Sequence, residues 1–243
     1  MQCKLCLQDK PLIQESHIIP RGFFRNASDN IDKEFGSVKP GDKASWLYSK
    51  ESKSKQIQCG IYVADILCKD CEQKLGILDN YGQTILLAEK NVEKDDKKNL
   101  WKVPNINYKK LKLFFISVLW RSHICNHSFF SAVNLTSNLE IKLREMIVEE
   151  NPGSENEFSV FLLRYREVEA IKFTIYKWKQ PCETYNFRLG YYAVFIKVDE
   201  NSWPDTFQKY MLKPEQELLI SIQNYKETRE YQSDIDNIDK YKP

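Results

Sequence analysis

Two Cys-x2-Cys pairs, Cys3–Cys6 and Cys68–Cys71, lie 61 residues apart and constrain this chain more than any other feature. A Cys-x2-Cys turn places two thiolates on one side of a tight knuckle. Two such turns supply four soft ligands, the set that a structural zinc ion takes at the corners of a tetrahedron. The alternatives are four unpaired thiols or a Cys-x2-Cys redox pair, which would not explain the second pair; the doubled spacing points to metal. Zinc here would tie the N-terminus to the start of a helix expected over 69–90, in a loop-rich region that can bury little core alone. Cys59, Cys125 and Cys182 stand apart from these pairs, and an odd total of seven argues against a disulfide framework.

Composition sets further limits. With 243 residues, 42% of them hydrophobic, the chain can bury one sizeable core or two small ones and is not disordered. No apolar run approaches the ~18 residues of a membrane span. The opening MQCKLCLQDK has no apolar leader segment, so a cytoplasmic protein without a membrane partner is expected. Lys and Arg number 36 against 34 Asp and Glu, a formal charge of +2. Any nucleic-acid surface must therefore be a local patch.

The polar stretch 93–104, ending in Val103-Pro104, reads as a linker between units 1–92 and 105–243. Residues 26–58 read as a long polar excursion, Lys-rich over 39–58 and carrying Trp46 and Tyr48. A short strand is expected over 59–67. The helix over 69–90 places Leu75, Leu78, Ile85 and Leu86 on one side. Beyond the linker, helices are expected over 108–127, with an apolar stripe, and over 136–150. Strands at 158–163, 171–178, 183–189 and 191–198 suggest an antiparallel sheet, with Phe173, Tyr176, Trp178, Tyr191, Tyr192 and Phe195 as its aromatic core. A last helix is expected from Pro214 to about residue 230. The fold class is α+β: an N-terminal zinc module followed by a helical plus antiparallel-sheet domain for substrate or partner recognition.

Between the cysteine pairs lies Ser16-His17-Ile18-Ile19-Pro20, and Leu67-Cys68-x2-Cys71-Glu72 follows. In this order the motifs resemble the zinc-bearing HNH endonucleases, also termed His-Me finger or ββα-metal nucleases. The block GIYVADILCKDCEQKLGILDNYG also looks like a group of bacterial proteins with such an N-terminal module. The resemblance covers roughly residues 1–90. It implies a treble-clef module with structural Zn2+, a catalytic Mg2+ or Mn2+, and hydrolysis of phosphodiester bonds, DNA favoured over RNA. It also implies a bacterial defence setting, such as defence against phage.

On that resemblance His17 stands at the general base. Ser16 stands where the family has Asp or His as a metal ligand, and Glu72 where it has Asn or His. Val63 lies near the place of the middle Asn, and Asp65 is the closest polar residue. Asp79, seven residues past Glu72, shares its helical face and would offer a second carboxylate to the catalytic metal. Arg21, Arg25, Lys69 and Lys74 are the candidate phosphate contacts, together with the 39–58 loop. The departures at Ser16 and Val63 keep a second outcome open: a zinc treble clef that has lost catalysis and binds nucleic acid or a protein. Control by a partner protein, or a homodimer, would also suit such a nuclease.

Two further features lie outside this resemblance. His123 and His127 are four apart, with Cys125 between, but no Glu follows His123. They read as partly buried histidines at a helix end rather than metal ligands. Arg121 is expected to pair with a carboxylate across the interface with the sheet.

Overall fold

Short alternating apolar runs dominate the second half of the chain and build a mixed sheet. The computed structural model describes residues 1–24, 46–49, 52–56, 60–89, 91–166, 172–228 and 231–232. Arg25, Cys59 and the whole 26–45 stretch lie outside the described residues.

In chain order the strands are β1 (Ser16–His17), β2 (Trp46–Ser49), β3 (Ser52–Gln56), β4 (Tyr62–Val63), β5 (Glu93–Asp95), β6 (Leu100–Val103), β7 (Val160–Arg166), β8 (Lys172–Trp178), β9 (Thr184–Leu189), β10 (Tyr192–Lys197) and β11 (Leu218–Asn224). The helices are α1 (Lys69–Leu86), α2 (Tyr108–Ile124), α3 (Ser137–Val148) and a short α4 (Asp205–Gln208). The fold is α+β. Nine strands form one sheet in the order β3-β2-β8-β9-β10-β7-β11-β6-β5, and β1 and β4 form a separate two-stranded ribbon.

The expected strands 158–163, 171–178, 183–189 and 191–198 correspond to β7 through β10, in antiparallel register. The sheet as a whole is mixed, because β11 runs parallel to β7 and β2 parallel to β8. Every residue of β9 and β10 is buried, so both faces of the centre are covered. On one face Phe207 stacks on Phe161 and Trp203 meets it edge-on, while Phe161 itself lies flat on Phe195.

Three expectations are overturned. Residues 218–224 are a strand, not part of a helix: Leu218, Ile220 and Ile222 are buried at every second position, a period of two that outweighs the helix-start signal of Pro214. The stretch 93–104 is not a free linker, because β5 and β6 pair within it and β6 pairs on with β11. Part of the 26–58 excursion is also ordered sheet, with β2 and β3 paired at its edge. Strands from both expected units thus share one sheet, and one hydrophobic cluster runs from Cys3 to Tyr225. The strand expected over 59–67 shrinks to β4 alone.

Helix α2 departs from a single apolar stripe. Every residue from Leu111 to Ser122 is buried, so it runs through the interior. Asn107 caps its start by accepting the Lys110 N–H at 2.9 Å. Helix α1 packs on α2 through Cys71, Leu75, Leu78, Gly82 and Leu86 as its buried residues. Gly82 is required there, because a Cβ would fall 2.5 Å from the Phe114 ring. No described helix is long and apolar enough to cross a membrane.

Candidate metal centre and the His17 strand

The N-terminal knuckle folds back on the segment that leads into α1. Leu7, at φ 59°, closes its turn with an N–H bond to the Cys3 carbonyl. Lys4 and Ile13 donate N–H groups to Ile66 and Leu67, and Asp65 donates to Ile13. These bonds set Cys3 and Cys6 against Cys68, the N-cap of α1, and Cys71 in its first turn. The four Sγ atoms lie within 4.8 Å of one another, and Cys6 and Cys68 approach to 4.0 Å. A tetrahedral zinc with bonds of about 2.3 Å needs sulfurs about 3.8 Å apart. The donor set and spacing therefore fit a structural zinc ion.

The thiol electrostatics suit a metal site. Burial raises the Cys3 thiol, but backbone N–H groups of Cys6, Cys68 and Leu5 outweigh it and bring the group down to about 7. The Cys68 N–H lies 3.3 Å from Cys3 Sγ. Burial pushes Cys6 and Cys71 up, and negative charge at Cys3 adds to this. Without a cation a thiolate is favoured at Cys3 over Cys6 and Cys71; a divalent ion removes the barrier to these two.

Beside this centre, β1 pairs antiparallel with β4, Ser16 opposite Val63 and His17 opposite Tyr62. Alternation turns Ser16 inward, fully buried, and leaves His17 half-buried beside the exposed Tyr62, ring centroids 5.8 Å apart. Ser16 Oγ donates to Glu72 Oε2 at 3.1 Å, and Glu72 also accepts the backbone N–H of His17. Burial raises the Glu72 pKa, opposed by the charge of Arg121 and by the Ser16 hydrogen bond.

Arg121 completes the arrangement from α2. Its Nη1 donates to the His17 carbonyl at 2.8 Å and to Asp79 Oδ2 at 2.9 Å; its Nη2 reaches Asp79 Oδ1 at 2.6 Å. Ser117 accepts from Nε and Nη2. The His17 main chain is therefore held at both its N–H and its C=O. The expected pairing of Arg121 across the sheet interface is corrected: its partner comes from helix α1. Nothing in the sequence identifies that partner, because it follows from how α1 crosses α2.

The other candidates are placed as follows. Glu72 and Asp79 share a face of α1, as their spacing requires, but Arg121 takes up the Asp79 carboxylate. Asp65 is exposed, at φ 60°, and accepts from Gln14 at 3.1 Å within the knuckle. Lys74 donates to the Val148 carbonyl at 2.7 Å and pairs with Glu150, so it fastens α1 to the end of α3. Lys69 and Arg21 are exposed, and Arg21 stands in the helical turn after Pro20. His123 and His127 each accept a backbone N–H at Nδ1, from Leu135 and Phe129. His127 lies beyond the end of α2, so the two do not share a helical face.

Among the described residues the four cysteines are the one group of three or more His, Cys, Asp or Glu ligand atoms close enough to hold an ion. The residues around His17 do not fit a catalytic Mg2+ or Mn2+. Glu72 is engaged by Ser16 and the His17 N–H, Asp79 is neutralised, and the Arg121 guanidinium already supplies positive charge there. Comparisons with protein-family models, with curated proteins and with solved structures give no match.

Proposed function

We propose that this chain is a zinc-stapled nucleic-acid-binding protein on an HNH-like, treble-clef scaffold whose hydrolytic metal position has been taken over by an ion-pair network. The carrying observation is the buried Arg121, which bridges Asp79 and the His17 carbonyl beside Glu72. The strand–strand–helix order around the four cysteines supports the scaffold. The binding surface is the outer side of the β1–β4 ribbon. There the rings of Tyr62 and His17 offer a base-stacking pair, and the exposed Arg21 and Lys69 are the cations assigned to phosphate in this reading.

The test pairs fluorescence anisotropy of labelled single-stranded and duplex oligonucleotides with a cleavage assay in Mg2+ or Mn2+. Expected are salt-dependent binding, a loss of about tenfold in Tyr62→Ala from the stacking term of ~1–3 kcal/mol, and no cutting. Absence of binding by zinc-loaded protein overturns the reading.

One observation favours a second reading, phosphodiester hydrolysis with His17 as general base. Fixing both ends of a histidine's main chain with buried charged groups is costly, and active sites hold reactive side chains in this way. Cutting by the wild type that disappears in His17→Ala, with zinc retained, would select it.

A further inference from the structure

Among the described residues three arginines are buried, Arg121 on α2, Arg164 on β7 and Arg188 on β9, and their partners differ. Arg121 is matched by Asp79, and Arg164 by Glu89 at 3.1 Å. Arg188, 5% exposed in β9, has no carboxylate partner among the described residues. Its Nε donates to the Gly190 carbonyl at 2.9 Å, while its buried Nη2 has no hydrogen-bond partner. The guanidinium lies between two phenol rings, 4.2 Å from the centroid of Tyr165 and 4.5 Å from that of Tyr225. Such stacking fixes the plane of the group and leaves its in-plane donors to find another acceptor. Its cross-strand neighbours are Thr174 and Ala193, one a buried hydroxyl residue and the other a methyl that fills little space.

An unpaired buried cation is among the costliest features a fold can keep, and buried charges are paired or ligand-bound as a rule. Arg121, Arg164 and Lys197, which lies beside Asp199, obey it, whereas Lys112 is satisfied by neutral acceptors, the Ser154 carbonyl and the Tyr108 hydroxyl. We propose that Arg188, held between Tyr165 and Tyr225, is the anchor of a binding site for a small oxyanion, a phosphate or carboxylate group received by the guanidinium edge that carries the unpartnered Nη2. A guanidinium edge presents parallel N–H donors at the spacing of two carboxylate or phosphate oxygens. This inference does not rest on the reading of the His17 strand.

The experiment uses the full zinc-loaded chain at constant ionic strength in chloride. Inorganic phosphate and acetate are titrated separately against wild type, Arg188→Met and Arg188→Lys, read by thermal melting and by calorimetry. One of the two anions is expected to raise the wild-type melting temperature saturably, by about 5 °C at ~100 times its Kd. The two arms distinguish a phosphate from a carboxylate site. Arg188→Met should show no anion-dependent rise and, in chloride alone, should melt no lower than wild type, since it removes an uncompensated charge. A merely structural cation–π clamp would instead lower its melting point in chloride. No saturable rise or heat with either anion in wild type overturns the proposal, as does an equal rise in Arg188→Met. If Arg188→Met does not fold, the wild-type calorimetry and the weakened response of Arg188→Lys decide the matter.

Discussion

Arg121 grips Asp79 through two hydrogen bonds, 2.9 and 2.6 Å long, from a guanidinium with no solvent exposure. Removing one member of a buried ion pair leaves the other uncompensated, typically at about 3–5 kcal/mol. Arg121→Met should therefore destabilise the protein by about that amount in urea unfolding. Asp79→Asn should cost less, because Arg121 keeps the His17 carbonyl and Ser117 as acceptors. The double variant should fall short of the sum by about 1 kcal/mol or more. Additivity of the two changes would mean that the pair contributes nothing jointly.

The four-cysteine centre predicts one zinc per chain by elemental analysis. Cys71→Ser should lose the metal and lower the melting temperature, while Cys125→Ser and Cys182→Ser should keep full zinc content. Chelation should unfold the knuckle around Cys3 and Cys6 first, since backbone bonds to residues 65–67 and the metal are what hold it. Full zinc retention in Cys71→Ser would remove that residue from the ligand set.

Glu72 sets a pH dependence with a definite sign. Burial raises its folded-state pKa above the ordinary value of 4.5, so across that window the native state holds a proton that the unfolded chain has lost. Stability from this group is present at low pH and declines as pH rises from about the ordinary value through the raised one. Wild type should thus lose stability relative to Glu72→Gln as the pH rises from the ordinary carboxylate value of 4.5. Parallel stability–pH curves for the two proteins would contradict the raised value.

Two glycines of α1 should respond in opposite directions to alanine. At Gly82 the new Cβ would stand 2.5 Å from the Phe114 ring, and overpacking of this kind costs about 1–3 kcal/mol. At Gly76 nothing lies within 4 Å of the added carbon, so Gly76→Ala should stabilise by about 0.5–1 kcal/mol through helix propensity alone. Equal effects at the two sites in denaturant titrations would mean that α1 does not press on α2 at Gly82.

What the sequence determined by itself lies in short-range pattern. Helices α1, α2 and α3 follow from their apolar spacing, and strands β7 to β10 from β-branched and aromatic runs between short polar breaks, although α2 and the central strands are buried on every side. The four-cysteine cluster follows from the doubled Cys-x2-Cys spacing. The shared face of Glu72 and Asp79 follows from helix geometry. Tertiary structure decided the rest. Residues 218–224 became a strand because β7 and β6 offered hydrogen bonds on both sides, outweighing a local helix signal. Residues 93–95, 100–103, 46–49 and 52–56 became sheet for the same reason: pairing depends on where a distant strand lies. Above all, the partners of Arg121 and Arg188 were set by how helices cross and strands register. Coulombic pairing acts over a few ångströms of space, and residues 42 apart in the chain meet there only once the core has placed them.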